Sequence, residues 1–299
     1  MWTALRISRP NRQTLVSTSA VLSAMGLATA TSSSASNAAA ASTEPKVALS
    51  AGEFRTFKVS KVEDVTHDTK RVVFDLPGPD YEMGLSVASC LLAKADINGA
   101  PVVRPYTPVN TNSEKGVLEL VVKGYPKGLL SKHIVELQVG DSLEMKGPFV
   151  KFKYEPNTYK KIGFIAGGSG LTPLLQVAKE ILRNPADETE VTLVFANNAE
   201  RDIILREELD ALAYMYPQFK VHYVLSQASE GWTGRTGFVT KEIIQELLPA
   251  PSDENLVCVC GPPPMMEALS GDKNPDKTQG ELRGLLKELQ YTSSQVYKF

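Results

Sequence analysis

Ile162-Gly163-Phe164-Ile165-Ala166-Gly167-Gly168-Ser169-Gly170-Leu171-Thr172-Pro173 is the stretch that decides the fold of this chain. An apolar run of strand length stops at a cluster of glycines, and helical periodicity follows to about residue 183. A strand covered on both faces reads as continuously apolar, so this is the opening of a parallel βαβ unit. Downstream the alternation repeats: strands are predicted at 191–196, 220–225 and 256–260, and helices near 203–215, 240–248 and 264–269. Right-handed crossovers then give a doubly wound α/β domain over residues 157–299.

Upstream the pattern differs. Residues 53–59 and 71–76 alternate polar and apolar, and further short strands are expected at 87–95, 102–107, 117–124 and 142–146, with one helical pattern at 130–137. Short alternating strands punctuated by Gly, Pro, Asn and Asp predict an antiparallel six-stranded β-barrel over residues 52–156. Pro156-Asn157 interrupts both patterns and marks the boundary.

Residues 1–43 contain no Asp or Glu; they carry Arg6, Arg9 and Arg12 and then a tract rich in Ser, Thr and Ala. That is the pattern of a mitochondrial or plastid transit peptide, and a mitochondrial address is expected. Serines and threonines dilute the apolar run 16–30 below the roughly 20 apolar residues of a membrane span, so it would make at most a weak membrane anchor. Lys+Arg 32 against Asp+Glu 34 gives a net charge of -2 and argues against a nucleic-acid binder relying on bulk positive charge. Cys90, Cys258 and Cys260 form no Cys-x-x-Cys pair and only three histidines are present, so no metal or iron–sulfur centre is expected.

Three segments carry chemistry. The loop Gly167–Pro173 can present backbone N–H groups to a diphosphate, glycines permitting close approach, while Thr172 can cap the helix and Pro173 suits its first turn. It lacks the Gly-Lys-Ser/Thr ending of a P-loop, which disfavours ATP hydrolysis. Cys260-Gly261-Pro262-Pro263-Pro264-Met265-Met266 leaves the last strand at the same, carboxyl end of the sheet, where open parallel sheets bind ligands. Arg104-Pro105-Tyr106-Thr107 offers a guanidinium fork beside an aromatic face. Each segment alone has a plain structural reading: a tight turn, a buried thiol, a solvated strand end.

In order along the chain, Arg104-Pro105-Tyr106-Thr107, Gly147-Pro148, Gly167–Pro173 and Cys260–Met265 resemble the ferredoxin–NADP reductase superfamily. More narrowly they resemble the NADH–cytochrome b5 reductases over residues 52–299, with 87–90 and 280–299 most similar to the plant-type mitochondrial form. The resemblance implies FAD on the barrel: Arg104 on its pyrophosphate, Pro105 and Tyr106 along the flavin, and the Thr107 hydroxyl near N5. Val121, Lys123 and Tyr125, together with Gly128-Leu129-Leu130-Ser131, fall on further cofactor-lining positions. NADH would lie across Gly167, Gly168, Ser169, Gly170 and Thr172, with Gly261, Pro262 and Met265 nearby. Cys260 would sit beside the nicotinamide and align hydride transfer without a covalent bond.

Asp202 would accept the ribose hydroxyls and repel a 2′-phosphate, favouring NADH over NADPH, although neighbouring Arg201 could accept that phosphate. The implied acceptor is an acidic, cytochrome b5-like haem protein, and a monomer is expected. Rival readings are a reductase of ferredoxin or free flavin, or a redox sensor that binds flavin and dinucleotide without turnover. Departures from the family pattern are Val150 after Gly147-Pro148-Phe149, Cys90 where His is frequent, and Asn110 in place of Ser; they bear on acceptor access and flavin tuning.

Overall fold

The computed structural model describes residues 44–299, so the expected transit segment 1–43 lies outside the described residues. The first sheet comprises β1 (Arg55–Thr66), β2 (Thr69–Asp75), β3 (Ser89–Ile97), β4 (Ala100–Tyr106), β5 (Val117–Lys123) and, after helix α1 (Leu129–Glu136), β6 (Ser142–Val150). Its order is β4-β3-β6-β1-β2-β5, antiparallel throughout. Every second side chain enters one core: Phe57 and Val59, Val72 and Phe74, Leu118 and Leu120, Leu143 and Met145, with Leu130 and Ile134 of α1 plugging it.

The chain leaving β4 curls this sheet into a barrel. Val109 N–H donates to the Glu119 carbonyl at 3.0 Å. The buried Asn110 amide donates to the Val117 carbonyl (3.1 Å) and accepts from Glu119 N–H (2.8 Å), taking the place of a strand neighbour for β5. A serine could not bridge both partners, because it lacks the amide's separated donor and acceptor. Residues ahead of β1 also join the barrel core. Ala48 and Leu49 are buried, and their N–H groups donate to the carbonyls of Glu82 and Met83. So short a segment carries no periodicity to read.

The second sheet follows: β7 (Lys161–Gly167), α2 (Leu171–Arg183), β8 (Glu190–Asn197), α3 (Arg206–Met215), β9 (Phe219–Leu225), β10 (Arg235–Thr236), α4 (Lys241–Leu247), β11 (Asn255–Cys260), α5 (Pro263–Leu269), α6 (Gly284–Glu288) and β12 (Val296–Lys298). The order is β10-β9-β8-β7-β11-β12, all parallel. The winding reverses between β7 and β11, which makes their carboxyl ends the switch point. The expected helix at 203–215 starts only at Arg206, because Leu205 takes a left-handed φ of 55°. That bend delivers Ile203, Ile204 and Leu205, three consecutive apolar side chains, to the core. Strands β10 and β12 and helix α6 span two to five residues, too short for a periodic signal in sequence.

Residues 44–299 form one compact unit. Val109 and Val121 of the barrel cluster with Leu171, Leu174 and Phe195 of the α/β half. Beside this seam, Arg71 of β2 reaches Glu208 of α3 at 2.8 Å, and Lys179 of α2 grips Glu208 at 2.5 Å and the Val109 carbonyl at 2.8 Å. Replacing Asn110→Ala strands a half-buried N–H and a half-buried carbonyl of β5, and should lower the unfolding free energy by roughly 1–3 kcal/mol. Urea titration of flavin-loaded protein is the check, and a loss below about 0.5 kcal/mol would mean that Asn110 does not close the barrel.

Candidate active site

At the switch point two backbones touch. Ala166 of β7 pairs with Cys260 of β11, and the loops beyond them run to opposite faces of the sheet. A Cβ on Gly170 would lie 2.2 Å from the Cys260 carbonyl oxygen and 2.9 Å from Gly261 N. On Gly167 it would meet Met265 Sδ at 2.5 Å and Pro262 Cδ at 2.8 Å, and on Gly261 it would meet Met265 Sδ at 2.7 Å. These three glycines therefore serve loop-to-loop packing before any approach of a ligand. Gly168 differs: its φ is +50° and nothing lies within 4 Å of a Cβ placed there, so its backbone borders open space. The loop is a 3-10 turn, and Gly170 rather than Thr172 occupies the N-cap of α2. Thr172 is buried in the first turn and donates its hydroxyl to the Ser169 carbonyl at 3.4 Å.

The barrel supplies the second wall. Arg104 and Pro105 are exposed on edge strand β4, and Tyr106 and Thr107 are half-buried. The Arg104 guanidinium donates to the Val103 carbonyl at 2.7 Å and forms no ion pair among the described residues, so most of its fork is free for an anion. Burial pushes the Tyr106 phenol up to about 12, which keeps it neutral. Tyr125 joins the walls: its hydroxyl lies 2.7 Å from that of Ser169 in the glycine loop. Gly128 is the N-cap of α1, and Leu129 beside it is exposed. Ser131 donates to the Gly128 carbonyl at 3.3 Å and holds the turn before α1. Val121 and Leu130 point into the cores, so only their backbones remain for a cofactor.

The charged residues of the site meet one another across the two halves. Lys123 Nζ lies 2.8 Å from Asp68, in the two-residue turn between β1 and β2, and 3.5 Å from Asp202, in the turn after β8. The Asp202 side chain is 12% exposed and also accepts Ala199 N–H at 3.0 Å, capping a 3-10 turn. It is thus engaged with a barrel lysine as well as with its own turn. Burial would raise the Asp68 carboxyl, but hydrogen bonds from Lys123, Thr66 and Thr69 hold it below its ordinary range. Burial likewise opposes the Lys123 ammonium, and Asp68 and Asp202 more than compensate. The stabilisation from Asp68 is present above its unfolded-state pKa and fades as pH falls through the depressed folded value. That from Lys123 is complete below its unfolded-state pKa and fades as pH rises through the raised one, so the clasp is intact across the neutral range.

Asp68 and its neighbour His67 give no signal in sequence, because a His-Asp hairpin turn looks like any other. Asn197, at the carboxyl end of β8, opens the segment 197–202 on which cofactor choice is expected to rest. Its amide is buried with no hydrogen-bond partner among the described residues, beside the glycine loop. A polar residue closing the apolar run 191–196 was the available clue. Open backbone at Gly168 and an orphaned amide at Asn197 fit a dinucleotide across the switch point. The free Arg104 fork beside Tyr106 fits FAD along β4.

Cys260 is half-buried at the end of β11. Burial pushes its thiol up to about 11, with Lys273 drawing back only part of the shift. At neutral pH it is a protonated, weakly nucleophilic group, suited to packing against a ring rather than attacking one.

Comparison with known proteins agrees with this geometry. Residues 56–154 match the oxidoreductase FAD-binding domain and residues 164–271 the oxidoreductase NAD-binding domain. NADH-cytochrome b5 reductase 2 of Emericella nidulans is 46% identical over 272 residues, covering 89% of this chain and 84% of that protein. The NADH-cytochrome b5 reductase-like protein of Arabidopsis thaliana is 44% identical over 263 residues, covering 86% and 80%. Among solved structures, the cytochrome b5 reductase domain of Ulva prolifera nitrate reductase superposes with a TM-score of 0.75 at 31% identity, covering 84% of this chain and 99% of that one. The fold and site define an FAD- and NAD-binding oxidoreductase. Within that class, the chain belongs to the NADH–cytochrome b5 reductase family.

Two outcomes are expected at the switch point. Gly170→Ala should drive the two loops apart, cutting the rate of flavin reduction by NADH at least tenfold while FAD stays bound, as stopped-flow absorbance would register. Alkylation of Cys260 by iodoacetamide at pH 8 should proceed with only about one thiol in a thousand ionised, its rate climbing about tenfold per pH unit up to pH 10. A rate already flat above pH 8, measured by mass spectrometry of the modified peptide, would contradict a burial-raised thiol.

Proposed function

We propose that this protein oxidises NADH, takes the hydride onto FAD, and passes the electrons singly to an acidic haem protein of the cytochrome b5 type. The observation that carries this reading is the meeting of both cofactor walls at one place: the glycine loop packs on the Cys260 loop and is hydrogen-bonded to the barrel through Tyr125 and Ser169. FAD, when bound, supplies both hydride acceptance and one-electron release. The protein's own residues position, shield and balance charge.

Arg104 would hold the FAD pyrophosphate by bidentate bonds, with Tyr106 presenting a neutral ring to the flavin. Thr107, next along the strand, would offer its hydroxyl toward N5. Gly168 and the first turn of α2 would carry the NADH diphosphate. Cys260, as a neutral thiol, would fix the distance of the nicotinamide from the flavin, the quantity on which hydride transfer chiefly depends. Lys127 and Lys132 bracket the Gly128 turn, are exposed, and form no ion pair among the described residues, which supports an acidic partner docking on that side. The acid-free, arginine-bearing residues 1–43 support a mitochondrial address, with weak membrane attachment through the same segment. No helix among the described residues is long and apolar enough to cross a membrane.

The deciding experiment is anaerobic titration of the purified flavoprotein with NADH and, separately, NADPH. Bleaching of the flavin band by one equivalent of NADH, and far more slowly by NADPH, is expected. A colourless protein that takes up no added FAD would refute the assignment. Arg104→Ala should weaken FAD retention by about 10- to 100-fold, as judged by flavin released on dilution. Reduction of cytochrome b5 should slow steeply as ionic strength rises, and a salt-independent rate would remove Lys127 and Lys132 from docking.

A further inference from the structure

Among the described residues, Asn197 alone has buried side-chain polar atoms without a hydrogen-bond partner, at both Nδ2 and Oδ1. The other buried amides are bonded. Asn110 holds Val117 and Glu119, Gln176 accepts Ser89 N–H, and Gln295 accepts Thr292 N–H. A leucine at 197 would fill nearly the same volume and leave no desolvated donor or acceptor. The amide therefore weakens the dinucleotide-free fold, and its use lies in another state of the protein.

Side chains alternate along β8, and Val191, Leu193 and Phe195 enter the core that holds Leu171 and Leu174 of α2. Asn197 follows on that face, one place beyond Ala196, which pairs with Gly167. Strand β8 also contacts the 3-10 turn Gly168–Gly170 that leads into α2. As the start of a helix, this turn presents N–H groups that lack a helical acceptor, and the Asn197 amide is a buried acceptor beside them. The turn has room to shift at one point. Gly167 and Gly170 are packed against the Cys260 loop, whereas Gly168, at a φ of +50°, borders open space.

We propose that Asn197 is a latch for the glycine loop: its amide is unpaired in the free protein, and the Gly168-Ser169 backbone closes onto it when a diphosphate draws the N–H groups of the turn into line. The proposal rests on the dinucleotide reading of the site given above. Asn197 acts through the loop and touches no reacting atom, so it is a positioning residue. Linkage gives it a signature. What the orphaned amide removes from the stability of the free protein is recovered on binding, so stability and affinity respond to its loss with opposite signs. An amide retained for folding alone would respond with a loss of stability.

The flavin-loaded wild type and Asn197→Leu are compared by thermal melting and by calorimetric titration with NAD+, which binds without delivering a hydride. The variant should melt roughly 2–4 °C higher and bind NAD+ about tenfold more weakly. A lower melting temperature, or an unchanged affinity, overturns the proposal. An independent reading comes from NMR of isotope-labelled asparagine side chains in the wild-type holoprotein. One NH2 pair should lie at the upfield position of an unbonded amide and move downfield when NAD+ is added. If no such pair moves, the proposal fails, whether or not Asn197→Leu folds.

If the wild type binds NAD+ and only these responses are missing, the dinucleotide site stands and Asn197 alone loses its role. If the wild type takes up no NAD+, the site reading and the proposal fall together.

Discussion

Contact between two bare stretches of backbone governs this molecule. With a carbonyl oxygen of β11 standing 2.2 Å from where a Cβ of Gly170 would be, no side chain fits between the loop that starts α2 and the loop that starts α5. Closure there lets β7 and β11 remain adjacent while their crossovers leave to opposite faces, the arrangement beyond which open α/β sheets bind ligands. Gly168 and Cys260 acquire a shared purpose only because this contact holds their two loops together at the switch point. The cost is conformational, since glycines lose more freedom on folding than other residues. It is offset by the apolar layers on each side, Leu171 and Leu174 on one and Met266 and Leu269 on the other.

Hydride transfer between two stacked rings falls off steeply with small errors of separation, so the halves that hold the rings must not drift. The seam meets that requirement in two ways. Val109 and Val121 are buried among α/β side chains, which makes the barrel share a core with its neighbour rather than lean on it. Around that patch, Glu208 is held by Arg71 and Lys179, while Lys123 ties Asp68 to Asp202. These groups are one-eighth to under one-third exposed, and each charge has a partner from another element. Partly buried pairs of this kind add orientation more surely than stability, because desolvation consumes much of the Coulomb attraction.

What could be read from sequence follows the range of each signal. Period-two strands, the buried run 162–166 and the two glycine- and proline-rich loops are local patterns, and they located both sheets and the switch point. The reasons for individual residues were less legible. Gly167 and Gly261 appear as ligand glycines in sequence, but the atoms they spare belong to Met265 and Pro262. Thr172 has the right type for a cap, yet the preceding 3-10 turn moves the helix start so that Gly170 takes that position. Asp202 could be assigned a role after β8, whereas its attachment to Lys123 and Asp68 depends on a meeting of residues 79 and 134 positions away along the chain. No window over the sequence contains such a pairing.

The chemistry assigned to the protein is correspondingly spare. Cys260 and Tyr106 are both held in their neutral forms by burial, so neither is poised to exchange a proton at physiological pH. An enzyme relying on general acid–base catalysis would tune such groups toward neutrality. Here the shifts run the other way. That is the expected signature of a site whose reacting atoms belong to cofactors, where the protein contributes distance, dryness and the sign of the local charge. The same burial that raises the thiol leaves Cys260 a neutral packing group at the end of β11, consistent with a role in positioning rather than in attack.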